Sequence, residues 1–124
     1  MTEDRFEEIL IAADPKPKRA SGSPTQRSKA YLENAGYLVA ITERWNPHAR
    51  VRQDLFGFID MLAVKEGEIL GVQTTSRSNM SARAKKIAEH ENVAAVRKAG
   101  MRLEVHGWAK DTKGRWAVKV QDVS

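Results

Sequence analysis

A chain of 124 residues has the length of one domain that can bury a single core, and the absence of cysteine excludes disulfides, cysteine-ligated zinc and thiol catalysis. No apolar run approaches the roughly 18 residues of a membrane span, and the acidic opening MTEDRFEEIL is unlike a secretory signal, so an unprocessed cytoplasmic protein is expected. The net charge of +5 is unevenly placed: residues 1–14 hold Glu3, Asp4, Glu7, Glu8 and Asp14 against Arg5 alone, and the rest of the chain carries the positive excess, which favours a polyanionic partner.

In chain order, residues 1–13 predict a short amphipathic helix with Phe6, Ile9 and Leu10 on one side, and DPKPKRASGSP reads as a flexible linker. The expected organisation is an acidic segment over 1–14, a linker over 15–22 and one domain over 23–124. Ser23 and Gln26 match a capping box with Pro24 at the first helical position, so a helix begins there, runs through Tyr31, Leu32 and Ala35 and stops at Gly36. YLVAITERW predicts a strand, and the basic stretch NPHARVRQDLFG an exposed loop. FIDMLAV and EILGVQTTS predict two strands around KEGE. SARAKKIAEH and Val93 to Ala99 predict helical segments, the second ended by Gly100, and RLEVHGWA and RWAVKVQDV predict strands joined by the turn KDTKG. The order α-β-β-β-α-β-β is that of an α/β domain with helices packed on a mixed sheet.

The informative residue is Asp60, an acid in the middle of the apolar run FIDMLAV. A core strand has no packing use for a carboxylate, so such a group has a hydrogen-bond partner or a metal, or lies at the mouth of a site. With Glu66 and Gly67 as a two-residue hairpin loop, Lys65 faces Glu68 and Asp60 faces Gln73. Alternation then puts Phe58, Asp60, Leu62 and Val64 on one face with Ile69, Gly71, Gln73 and Thr75. Three polar side chains converge about 5 Å apart across the ladder, and Gly71 is expected to leave open space where a ligand can approach.

These residues, in this order, resemble the PD-(D/E)XK nuclease superfamily, in particular archaeal Holliday-junction resolvases and Mrr-type restriction endonucleases. The likeness runs from about Arg27 to Val120. It rests on a helix ending in AGY, a strand, GFID, a hairpin, VQTT, a helix and a closing strand pair, and the GFID and VQ-x-T wording is also similar to that of small phage-encoded proteins. The resemblance implies a restriction-endonuclease-like core, Mg²⁺ or Mn²⁺ as cofactor with Asp60 as principal ligand, and DNA as partner. Its resolvase side implies branched or structured DNA and a homodimer, since a two-fold junction suits two equivalent sites. Gln73 stands where the family usually has Glu, Thr75 where it has Lys, and Thr25 and Gln26 where resolvases carry an acid near the start of the first helix. A nuclease reading therefore needs replacements: Asp54 as a second carboxylate, the carbonyl of Thr74 to complete the ligand set, Thr75 to orient water, and Arg83 or Lys86 for the missing lysine.

The candidate phosphate contacts are Arg50 and Arg52 in the basic loop, Arg77, and Arg83, Lys85 and Lys86 on the following helix. Trp45 beside that loop is either a packing residue, like Trp108 and Trp116, or a platform for an unpaired base. His48, His90 and His106 lack zinc-site spacing, and there is no P-loop or nucleophile elbow. Each candidate also has a plain reading: Asp60 as a hydrogen-bonded structural carboxylate, Asp54 as a turn residue, Arg83, Lys85 and Lys86 as a solvated helix face. The expected activity is a metal-dependent DNA endonuclease. Two alternatives stay open, a nuclease-fold protein that binds nucleic acid without cutting it and a basic protein-interaction module.

Overall fold

The computed structural model describes residues 22–124. The acidic segment 1–14, its expected helix, and residues 15–21 of the linker lie outside the described residues. Helix α1 (Pro24–Asn34) starts as the capping box predicts, with the Ser23 hydroxyl accepting from the Gln26 amide at 3.2 Å, and the chain leaves it through Gly36 at φ 100°. Strand β1 (Leu38–Ile41) follows. The single strand expected over residues 37–45 is broken here, because the amides of Thr42 and Glu43 both donate to the Asp60 carbonyl, at 2.8 and 3.2 Å, and turn the chain off the sheet. Part of the expected basic loop is likewise ordered: β2 (Arg44–Asn46) and β3 (Val51–Gln53) pair as an exposed two-stranded hairpin of their own.

Strands β4 (Met61–Lys65) and β5 (Glu68–Ser76) form the expected hairpin, in register from Lys65↔Glu68 to Met61↔Val72, with Gly67 at φ 77° in the turn. A 3₁₀ turn (Arg77–Asn79) leads into α2 (Met80–Ala88), then α3 (Val93–Lys98), β6 (Arg102–Lys110) and β7 (Trp116–Asp122). The main sheet has the order β1-β4-β5-β6-β7, and β5 with β6 is its one parallel pair, joined by the crossover through α2 and α3. This is the α/β arrangement with a mixed sheet that the element order predicts. No helix among the described residues is long and apolar enough to cross a membrane.

Strand alternation divides the core in two. Leu32 of α1 packs with Tyr37, Val39, Met61, Ala63, Leu70 and Val72, while α2 and α3 bring Ile87, Val93 and Val96 against Phe58, Ile59, Leu103 and Val105 on the opposite face. Phe58 and Ile59 both enter this second cluster, so the chain before Met61 does not alternate as a strand. The expected open space at Gly71 is filled for the same reason: a Cβ there would lie 2.9 Å from Ile59 Cδ1 and 3.1 Å from Leu103 Cδ2. Gly71 serves close packing and not ligand approach.

A buried polar chain ties α1 to β6. The Trp108 indole N–H donates to Ser28 Oγ at 2.9 Å, which leaves the Ser28 proton for His106 Nδ1 at 2.9 Å and the His106 Nε2 proton for Glu104 Oε1 at 3.0 Å. Ser28 and His106 are fully buried, so these hydrogen bonds are made out of reach of solvent. Ser28→Ala orphans two buried partners at once and is expected to cost about 3 kcal/mol, read as a lower urea midpoint with an unchanged m-value.

Candidate metal centre

Asp60 lies one residue before β4, where the ladder ends. Its amide donates to the Val72 carbonyl at 2.8 Å, and its buried side chain turns to the end of β5. There Oδ2 accepts from Gln73 Nε2 at 2.9 Å, from the Thr74 amide at 2.7 Å and from the Thr74 hydroxyl at 3.2 Å. A buried carboxylate needs such donors, and here three of them converge on one oxygen. Asp60 and Gln73 meet as the hairpin register predicts, but by side chains and not as a ladder pair, because pairing stops at Met61↔Val72.

Two more carboxylates gather around Asp60. Asp54 comes from the segment between β3 and β4, Glu43 from the turn between β1 and β2, and one oxygen from each of the three carboxylates lies within 4.8 Å of the others. Thr25, on the first turn of α1, joins them through its hydroxyl, 3.4 Å from Glu43 Oε2 and 3.1 Å from Thr74 Oγ1. Burial pushes the Asp54 carboxyl up to about 6, helped by the negative charges of Asp60 and Glu43 and by a hydrogen bond with Asp60, and opposed by a hydrogen bond from Gln73.

Like charges this close repel, and a proton held on Asp54 or a bound cation relieves the repulsion. Hard oxygen donors gathered this closely could hold a metal ion. The raised Asp54 pKa fixes the sign of the pH dependence. Its proton favours the folded state at low pH, and that contribution is lost as pH rises from the ordinary value near 4 through about 6. A cation must displace the same proton below that pH. Mn²⁺ is therefore expected to raise the melting temperature more at pH 7.5 than at pH 5.0, and an equal rise at both, read by scanning calorimetry, would remove Asp54 from the ligand set.

The cluster forms one wall of an open basin of about 490 Å³, also lined by Gln73, Thr75, Arg52 and Arg83. The structure thus brings together Asp54, Asp60, Gln73, Thr74 and Thr75 of the expected site. Gln73 and Thr74 enter it differently from expectation, since an amide nitrogen, a backbone amide and a hydroxyl are what they turn to Asp60, and these groups hold the carboxylate in place. Of the two proposed cationic stand-ins, Arg83 lines the basin, while Lys86 lines a neighbouring depression with Arg52 and Asp54. Arg52 is also 3.4 Å from Glu43. Arg50 is exposed at the far turn of the β2–β3 hairpin, Lys85 is exposed on α2, and Arg77 donates to the Ala117 carbonyl of β7 at 3.1 Å. None of these three lines the basin.

Glu43 is the functional candidate that sequence reasoning missed. Inside YLVAITERW it reads as one polar position of a continuous strand, and only the break after Ile41 swings it over Asp60. No family model and no curated protein matches the chain.

Proposed function

We propose that the protein is an endonuclease that hydrolyses DNA phosphodiesters with Mg²⁺ or Mn²⁺, in the manner of the PD-(D/E)XK superfamily. The observation that carries this reading is the convergence of Glu43, Asp54 and Asp60 within 4.8 Å of one another on the wall of an open basin that also holds Arg52 and Arg83. The resemblance expects an acid on the first helix where Thr25 stands. Glu43 contacts that threonine, so it offers a carboxylate close to where the helix acid is lacking.

Glu43, Asp54 and Asp60 would hold the cation, which supplies Lewis acidity toward a phosphate oxygen and lowers the pKa of a water for in-line attack. Gln73 and Thr74 fix Asp60 by donating to its Oδ2. Arg83, and Arg52 when it leaves Glu43, offer guanidinium groups to the phosphate. Thr75 has a hydroxyl to orient water but no charge, so Arg83 takes the electrostatic role of the family's lysine. Branched or structured DNA as substrate, a homodimer as working form and the cytoplasm as location belong to the same reading.

One observation favours a second reading, a nuclease-fold protein that binds DNA without cutting: Gln73 and Thr75 are both uncharged where the family has charge. A cleavage assay on duplex, single-stranded and four-way-junction DNA, at fixed salt with Mg²⁺, Mn²⁺ or EDTA, separates the two. Cutting that needs the cation supports the nuclease. No cutting of any substrate, together with no metal binding by calorimetry, hands the site to the second reading.

A further inference from the structure

The depression next to the metal centre, about 730 Å³, shares Arg52 and Asp54 with the basin and adds Arg44, Lys86 and Phe56. Phe56 is out of place by ordinary rules. It is 48% exposed and belongs to neither core cluster, and its backbone is held at φ 56°, a left-handed conformation that a bulky residue adopts at a cost.

The surrounding structure enforces that conformation. Gly57 follows at φ 93°, its amide donating to the Asp54 carbonyl at 3.0 Å, and the amides of Phe58 and Ile59 both return to the Leu55 carbonyl. Asn92, from the segment between α2 and α3, donates its side-chain amide to the Phe56 carbonyl at 3.0 Å, while the His90 ring packs on Gly57 so closely that no Cβ fits. Strain fixed in this way, beside a site and with an aromatic ring turned out to solvent, points to a ligand.

We propose that this depression is a subsite for an unpaired base of a DNA strand, stacked on Phe56, with the adjoining phosphates held by Arg44, Arg52 and Lys86. It rests on the nuclease reading for its ligand and places the strand beside the metal centre through the shared Arg52 and Asp54. A flat aromatic face among three cations suits a nucleotide, which is a π-surface attached to an anion, better than it suits an apolar peptide. Trp45, the aromatic that sequence alone suggests for stacking, is exposed on β2 but lines neither cavity.

The test is binding in EDTA, where no cleavage occurs, to two oligonucleotide duplexes of equal length, one fully paired and one with 2-aminopurine as a single unpaired base. The parent should bind the second more tightly and quench its fluorescence. Phe56→Ala should weaken binding of that probe by about 10-fold, the loss of one stacked base, and should leave the paired duplex nearly unchanged. Phe56→Gly should weaken it equally while keeping or raising the melting temperature, because glycine relieves the left-handed backbone. Equal loss on both duplexes, no loss on the unpaired probe, or a lower melting temperature for Phe56→Gly would overturn the subsite. If the parent cuts nothing with metal yet the unpaired-base preference depends on Phe56, the nuclease reading fails alone. Cleavage with Phe56 variants that bind both probes like the parent sinks only the subsite.

Discussion

Asp60→Asn is expected to abolish Mg²⁺- and Mn²⁺-dependent cleavage while leaving the fold and most DNA binding in place. Asparagine keeps an oxygen where Gln73 and Thr74 donate, so the buried hydrogen bonds survive. What it removes is the central negative charge of the Glu43, Asp54 and Asp60 cluster. Residues that merely orient a metal's ligands commonly cost 10–100-fold when changed, so loss of a ligand charge should exceed about 10²-fold in rate. If the basin takes phosphate as proposed, removing an anion from it should hold DNA affinity steady or raise it in EDTA. Single-turnover cleavage and EDTA binding, measured on the same preparation, check both halves. Parent-like cleavage by the variant would show that Asp60 is a structural carboxylate only.

Glu43→Gln separates metal binding from ordinary surface pairing. Glu43 has a visible structural partner, the exposed Arg52 at 3.4 Å, and a pair of that kind is worth little, about 0 to 1 kcal/mol. A Glu43 that only pairs with Arg52 would give a variant with parent-like metal affinity. As a ligand its loss should weaken Mn²⁺ binding by about 10-fold or more. The metal-free protein should then gain stability at pH 7.5 or keep it, because one of the charges that raise the Asp54 pKa is gone. Titration calorimetry with Mn²⁺ and urea unfolding in EDTA read the two effects independently.

The parts of this site that follow local rules are legible in the sequence. The Ser23 cap, the Gly36 stop and the Glu66-Gly67 turn are short-range signals. The turn sets the ladder register as far as Met61↔Val72, which brings Asp60 and Gln73 together at the end of the hairpin. Asp60 stands out because a carboxylate in an apolar run calls for a reason. What is not legible depends on tertiary hydrogen bonds: the Asp60 carbonyl takes two amides from Thr42 and Glu43, ends β1 early and delivers Glu43 to the cluster. The same limit hid the use of Gly71, since the identity of the side chain that fills a glycine's space is set by Ile59 and Leu103, distant in sequence or outside the ladder. Arg83 and Lys86 lie three residues apart on one helical face, yet they line different cavities. Helical periodicity groups them, and the tertiary structure parts them.

Glu43, Asp54 and Asp60 are proposed to bind a divalent cation together. The most direct measurement is an anomalous-difference map from crystals soaked in Mn²⁺ at pH 7.5. A peak is expected among the three carboxylates, about 2.0 to 2.3 Å from an oxygen of each, and should be lost in Asp60→Asn crystals soaked in the same way. A map with no peak in the basin, or with Mn²⁺ bound only elsewhere on the surface, would contradict it.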